Sequence, residues 1–495
     1  MPSTPIDVEE LTIAGMHAAL RARTYTSAEL VAAYLDRIDR IDRNGPALNS
    51  IITVNPKAME VAADLDREFN ETGGFRGPLH GVPVLVKDQA ETADMMTTFG
   101  SIAQDGYVPA RDATLITRLK EAGAIILGKT ALPDYATSWF AFSSKAGETR
   151  NPYSLAHDPG GSSGGTAAAI AANLGLVGIG EDTGGSIRLP ASFTNLVGVR
   201  VTPGLISRDG MSPLVVFQDT AGPMTRTVTD AAILLDSLIG YDARDPYTSA
   251  ALIADPGESY TRSLDAGALN GARLGVVRNA FGSADLDGAA AVNAVIESGL
   301  AAARGAGADC VDVTIPDMID HIMETSLYLT HSRNDINAFL AARPDIPVSS
   351  LEEIREKELY DPVLDLLIEI FDGPVKPTDD PDYYRKLAAR DQFQRLVVGI
   401  MAENRLDALV FPSVQVPPPT KADVREGKHQ VLTFPTNTLI ASQTWMPSIA
   451  VPAGFTDDGR PVGMEIVVLP NHERDLFRLG YAFEQATQVR RAPNL

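Results

Sequence analysis

Residues 158–188 read Asp158-Pro159-Gly160-Gly161-Ser162-Ser163-Gly164-Gly165-Thr166, then an Ala-, Ile-, Leu- and Val-rich run to Gly180, then Glu181-Asp182-Thr183-Gly184-Gly185-Ser186-Ile187-Arg188. The run predicts a helix over Thr166–Asn173 and a strand over Leu176–Ile179, one helix–strand unit behind a glycine-rich loop. Glycine admits backbone conformations closed to other residues and lets another group approach closely. Hydroxyls at Ser162 and Ser186 are therefore set to face a ligand with backbone N–H groups beside them. Ser186 is the candidate nucleophile, and the segment is most of a candidate active site.

The same alternation continues on both sides. Upstream, a strand at Val82–Val86 runs into Lys87, and a helix at Ala113–Ala122 leads to the apolar run Ala124–Leu127. Residues 8–43 predict two helices, the second opened by a Thr26/Glu29 capping box, and a third helix spans about 57–70. Downstream come a helix at Thr227–Ile239, strands at Leu274–Val277 and Cys310–Thr314 around a helix near 288–304, and long helices over 318–342, 351–371 and 383–403. Strands at Ala408–Phe411, Ser448–Val451 and Gly463–Val468 and a helix at 473–488 close the chain. Strands alternating with helices predict an α/β sheet covered by helices on both faces. With no internal repeat or clear linker, and 240–272 loop-rich, residues 1–495 read as a single domain.

The 495 residues suffice for a large core. Lys plus Arg number 42 against 64 Asp plus Glu, a net charge of −22, which argues against binding nucleic acid or an anionic membrane. One cysteine, Cys310, rules out an intrachain disulfide and a Cys-based metal site, and suits a reducing compartment. Asp7, Glu9 and Glu10 stand where a signal peptide needs basic then apolar residues, and the uncharged run 159–180 is broken by glycines. A cytoplasmic location is the expectation.

Three motifs mislead. Gly123-Ala-Ile-Ile-Leu-Gly128-Lys129-Thr130 fits the phosphate-binding P-loop and would make a nucleotide-binding protein, but Ala-Ile-Ile-Leu reads as a strand where that motif needs a loop. Gly161-Ser162-Ser163-Gly164-Gly165 fits G-x-S-x-G, which would make Ser163 the nucleophile, yet the preceding Asn151–Pro159 is a proline-containing loop and no strand. His17, His80, His157, His321, His331, His429 and His472 lack metal-ligand spacing. His157, near the serines in sequence, reads more simply as a loop side chain than as a base.

A serine hydroxyl needs a group that takes its proton. Lys87 is the candidate, because it ends an apolar strand and burial lowers a lysine pKa. Asp88 argues the other way unless it points elsewhere, and a lysine buried as half of an ion pair is the plain alternative. Gly81-Val-Pro-Val-Leu-Val-Lys87-Asp88, Gly160–Gly165 and Asp182-Thr-Gly-Gly-Ser186-Ile-Arg188 resemble, in order and spacing, the amidase signature family. Gly128–Thr130, Asn151-Pro152, Leu196–Gly204, Gly222–Met224, Pro452–Gly454 and Gly459–Gly463 resemble its other recurrent segments. The likeness is densest over about 80–240.

That resemblance implies a mixed central sheet flanked by helices and a Ser–Ser–Lys triad: Ser186 as nucleophile, Lys87 as base, and Ser162, after a cis peptide bond, relaying the proton. It implies an oxyanion hole from the N–H groups of Thr183, Gly184, Gly185 and Ser186, with Ser163, Asp182 and Arg188 supporting the loop. The implied activity is hydrolysis of a small apolar or aryl amide through an acyl-enzyme, with esters and carbamates accessible, and no metal or cofactor. Trp139, Phe140 and Trp445 are candidate pocket residues; substrate choice is expected in 130–150, 205–220 and the variable region 315–447. The partner expected is a small-molecule amide, and a homodimer is compatible. The rival within the family is the glutaminase component of the glutamyl-tRNA amidotransferase, its A subunit. A non-catalytic binding protein on the same scaffold is disfavoured because all three triad positions are filled.

Overall fold

The computed structural model describes residues 6–254 and 257–495. In chain order its strands are β1 Ile51–Val54, β2 Pro83–Lys87, β3 Ile125–Thr130, β4 Phe142–Ser143, β5 Gly147–Glu148, β6 Val177–Asp182, β7 Val197–Arg200, β8 Thr220–Thr225, β9 Arg273–Val277, β10 Asp309–Val313, β11 Ala408–Pro412, β12 Ser448–Phe455 and β13 Pro461–Val467. β4 and β5 form a separate hairpin; the other eleven form one sheet in the order β1-β3-β2-β6-β8-β7-β12-β13-β11-β9-β10. The flanks β3-β2-β6 and β11-β9-β10 are parallel. The centre from β6 to β11 is antiparallel, so the sheet is mixed. Helices cover both faces. Gly178 on β6 faces Thr166 and Ile170 of helix Gly164–Ala171, and Gly198 on β7 faces Ala191 of helix Arg188–Phe193. On the other face Ile449 and Val451 of β12 meet helix Glu473–Thr487, which packs on helices Val228–Asp236 and Ala289–Gly305.

The parallel strands β2, β3, β9 and β11 read as apolar runs because they are buried on both faces, whereas β10, at the sheet edge, is Asp-Cys-Val-Asp-Val and fully buried only at Val313. β8, Thr-Ala-Gly-Pro-Met-Thr, carries no such run, and Pro223 would ordinarily argue against a central strand. Here it pairs toward β6, and the ladder to β7 begins only at Met224. The expected helix at 318–342 is two, Met318–Glu324 and Tyr328–Ala341; Thr325 Oγ1 donates back to the His321 carbonyl at 2.7 Å at the break. The expected helix at 351–371 is also two, Leu351–Glu356 and Asp365–Phe371, with Pro362, which lacks an N–H, between them. The Thr26/Glu29 capping box forms in both directions. Within the loop-rich 240–272 stretch a helix spans Ser249–Ala254, and residues 255 and 256 lie outside the described residues. Among the described residues no helix is long and apolar enough to cross a membrane.

Candidate active site

β2 and β6 lie side by side and parallel, with Val86 opposite Ile179, so their C-terminal ends bring Lys87 and the 182–186 turn to one place. The loop 158–163 crosses in front of them and enters helix Gly164–Ala171. Gly161 is pressed against the chain of Ser138–Phe140, where a Cβ would lie 2.7 Å from the Ser138 carbonyl. The Gly161–Ser162 peptide bond is cis. Lys87 Nζ donates to Ser162 Oγ at 2.7 Å, and both side chains are buried. The Ser163 N–H donates to the Ser186 carbonyl at 3.0 Å, tying the two serine loops together.

Asp88 does not compete for this lysine. Successive strand residues point to opposite faces, and Asp88 pairs at 3.0 Å with Lys129 of the neighbouring strand. Lys129 also donates to the Ala90 carbonyl at 2.7 Å and Thr97 Oγ1 at 3.0 Å. The P-loop match is thereby a buried strand with its lysine consumed in an ion pair. Lys87 has a different acidic neighbour, Glu181, whose Oε2 lies 3.1 Å from Nζ. Burial pushes the Lys87 pKa below the usual lysine value, against the opposing pull of Glu181, Asp182 and Asp219.

Behind the turn, Asp182 accepts from Arg188 Nε at 3.0 Å and Arg200 at 2.9 Å, and from the Ile187 N–H at 3.2 Å. Burial alone would raise this carboxyl, but the two guanidinium groups hold it down at about 2. Arg188 also pairs with Glu465 and donates to Ser442 Oγ at 2.7 Å. The turn is thus bolted to β7, β13 and the 439–443 helix. Among the described residues the N–H groups of Thr183, Gly184, Gly185 and Ser186 donate to no protein acceptor. They are free to meet a developing oxyanion. Both glycines are sterically required: a Cβ at Gly184 would overlap Tyr328 Oη, and one at Gly185, where φ is +141°, would overlap Thr438 Oγ1. Ser163 Oγ exchanges 3.2 Å hydrogen bonds with the Glu181 backbone, a strut between loop and strand.

Ser186 opens on a narrow cavity of about 10 Å³, room for about one water. It is lined by Ser138, Trp139, Leu214, Tyr328, Leu366 and Val431 among others. Trp139, Tyr328 and Val431 also line the adjoining cavity of about 180 Å³, so these side chains stand between the two. Of the expected pocket residues Trp139 is at the site. Phe140 is not on either cavity: its ring is buried edge-on against Phe434 at 5.1 Å. Trp445 is not either; it packs on Arg390 at 5.0 Å and Phe217 at 6.3 Å. An aromatic residue's type and rough position do not reveal which way its ring turns. His157 bonds Ser154 Oγ at 2.7 Å and touches neither Ser162 nor Ser186. Sequence reasoning missed Tyr328, which sits in no motif, and Glu181, whose one signal was a charged residue ending a buried apolar strand.

The Amidase family model matches residues 29–477. The chain is 33% identical to the A subunit of the glutamyl-tRNA(Gln) amidotransferase of Halorhodospira halophila, over 97% of this chain and 98% of that one. The native peptide amidase of Stenotrophomonas maltophilia superposes with a TM-score of 0.86 at 36% identity, covering 98% of each chain. A bacterial aryl acylamidase of the amidase signature family superposes at 0.83 with 25% identity, covering 97% of each.

Proposed function

We propose that this chain, which belongs to the amidase signature family, hydrolyses the C–N bond of a linear carboxylic amide through an acyl-enzyme on Ser186. The observation that carries this reading is the buried Lys87–Ser162 contact of 2.7 Å beside a turn whose N–H groups have no acceptor in the protein. Ser162 passes the Ser186 proton to Lys87 and returns one to the departing nitrogen. The free N–H groups stabilise the oxyanion; loss of one such donor typically costs about 3–4 kcal/mol. No step needs a metal or cofactor. The partner is a small-molecule amide, and esters and carbamates fit the same chemistry.

The cavity at Ser186 favours an apolar or aryl acyl portion, because its lining carries no charged side chain. Tyr328 Oη, buried and without a hydrogen-bond partner among the described residues, supplies a polar atom for orienting the substrate. The peptide amidase and aryl acylamidase likenesses support amide substrates of these kinds. The second reading, the glutaminase component of an amidotransferase, draws on the Halorhodospira relative. A glutamine substrate brings a charged α-amino and α-carboxylate group, for which the small cavity at Ser186 offers no charged partner, while Lys386 lines the adjoining one. A purified chain that is active alone and shows no glutaminase activity removes that reading.

Treatment with a fluorophosphonate followed by mass-spectrometric mapping is expected to place the adduct on Ser186. Labelling at Ser163, or none, overturns the mechanism. Lys87→Ala is expected to abolish labelling at neutral pH with the fold retained. A panel of amides, anilides, peptide amides, esters and carbamates then ranks substrates.

A further inference from the structure

β6 ends in two acids that do different work. Asp182 turns to the arginines, whereas Glu181 turns to the triad, with Oε2 3.1 Å from Lys87 Nζ and Oε1 3.0 Å from Thr183 Oγ1. That same hydroxyl lies 2.6 Å from Asp219 Oδ1. A threonine hydroxyl carries one proton and can donate to one carboxylate. Both contacts are satisfied when one of the two carboxyls is protonated and donates back. The arrangement therefore holds one proton on the Glu181–Asp219 pair. Asp219 is the better seat for it, because burial and the neighbouring Glu181 push its pKa up to about 8, against the N–H groups of Leu214 and Val215 that it accepts from.

Glu181 and Asp219 also form part of the wall of a charged cavity of about 410 Å³, none of whose lining residues lines the cavity at Ser186. The triad is thus approached from two sides, an apolar one at the nucleophile and a charged one behind the base. The other charges on that second wall are already engaged: Arg208 with Asp245 at 2.7 Å, Arg244 with Asp209 at 3.4 Å, Arg343 with Glu91 at 2.6 Å, and Asp335, which accepts from the Val216 N–H at 2.9 Å. Asp182 is held by Arg188 and Arg200, and Tyr328, nearby, stays un-ionised because burial raises its pKa. Among the described residues Lys87 is the cation in contact with Glu181.

We propose that Glu181, braced through Thr183 against Asp219, takes up the Lys87 proton while the reaction runs, extending the triad to a relay of four groups that ends at the charged cavity. The inference rests on the reading of Lys87 as base. At rest Lys87 is an ammonium, Glu181 a carboxylate and Asp219 the acid. One proton crosses from Nζ to Oε2, leaving an amine and a carboxylic acid with no net change of charge. The amine takes a proton from Ser162 as Ser162 takes that of Ser186, and Ser186 Oγ bonds the carbonyl carbon while the π pair moves to oxygen. Collapse of the oxyanion breaks the C–N bond, and the ammonium returns its proton through Ser162 to the leaving nitrogen. Glu181 keeps its own proton throughout, so Lys87 is an amine again when water attacks. Glu181 touches no substrate; it is a positioning residue that acts through Lys87.

The test is the rate of fluorophosphonate labelling of Ser186 against pH, for the wild type, Glu181→Gln and Asp219→Asn. Without Glu181 the Lys87 proton must go to solvent. The pH of half-maximal rate in E181Q is then expected to rise by about one unit or more, a tenfold slower reaction per unit on the acid side. D219N mimics the protonated acid and is expected to keep the wild-type profile. A shift of E181Q to lower pH, as for a carboxylate that merely keeps Lys87 charged, overturns the proposal, as do an unmoved profile and a D219N that behaves like E181Q. Should E181Q fail to fold, Glu181→Asp withdraws the carboxylate from Lys87 and must move the profile the same way. A wild type that is unlabelled, or labelled at another serine, refutes instead the mechanism on which this rests.

Discussion

Lys87 Nζ touches Ser162 Oγ, the Glu181 carboxylate and the Glu181 carbonyl. The first contact joins it to Ser162, while burial lowers its pKa and the Glu181 carboxylate pulls the other way. Ser162 Oγ accepts from Lys87 Nζ at 2.7 Å and belongs to the loop that the Ser163 N–H ties to the Ser186 carbonyl. Replacing Ser162 by alanine should lower the single-turnover acylation rate about 10²–10⁴-fold, the usual worth of a positioned proton carrier. Substrate binding and melting temperature should stay near the wild type, because nothing large is removed. Stopped-flow acylation with an activated ester reads the first, and a thermal melt the second. Ser162 and Ser186 stood out in the sequence because glycines flank both, while the relay role of Ser162 came only from the family resemblance. The place of Glu181 was not legible, because two adjacent acids in a sequence give no sign that one faces arginines and the other a lysine.

At the scale of elements, strand register sends the two buried lysines to different partners, Lys87 to Ser162 and Glu181 and Lys129 to Asp88. Lys87 lies opposite Thr130, and Lys129 opposite Val86, so the two ammonium groups leave opposite faces of adjacent strands. Asp88 is committed to Lys129 and to Thr98, whose hydroxyl donates to it at 2.6 Å. Lys129→Met would leave the Asp88 carboxylate buried without its cation, which typically costs about 3–5 kcal/mol. Urea unfolding of this variant should show that loss, and ATP should shift the melting temperature of neither variant nor wild type. A nucleotide-dependent shift in the wild type would restore the phosphate-loop reading. The broken helices near 325 and 362 belong to the same scale. Their apolar periodicity is helical on both sides of each break, and the interruptions come from a back-bonding threonine and a proline.

At the scale of the whole molecule, the charge balance carries a pH dependence whose sign follows from burial. Asp134, Asp158 and Glu484 are raised by burial to about 7, and Asp219, by burial and Glu181, to about 8. Their unfolded values lie near 3.8 or 4.5, so above those values the folded state binds more protons than the unfolded one. Stability therefore falls as pH rises through these folded values, and growing repulsion within a chain of net charge −22 adds to the fall. At the acid end Asp182 acts oppositely. Its carboxyl is depressed to about 2, so its contribution is present above about pH 4 and lost as pH falls toward 2. Thermal melts across pH 2–9 should show a loss of melting temperature as pH rises from about 4.5 to about 8 and a separate loss below about pH 4. A melting temperature that rises from about pH 5 to about pH 8 would contradict the protonated state of these buried acids.

By itself the sequence determined the layered α/β organisation, since apolar runs and helical periodicities report which faces are buried. It also determined the chemistry-bearing loop, since paired glycines are needed wherever a backbone must approach another group as closely as Gly184 approaches Tyr328 and Gly185 approaches Thr438. Tertiary structure alone decided the central antiparallel strands such as β8, whose identity comes from ladder partners and not from composition. It decided that Tyr328 and Leu214 stand at Ser186 while Phe140 and Trp445 do not, because side-chain direction is set by packing. It also decided that Lys87 meets Glu181, which Thr183 joins to Asp219. Which groups share a proton depends on distances of about 3 Å between residues as far apart in the chain as Lys87, Glu181 and Asp219, and no local pattern encodes those distances.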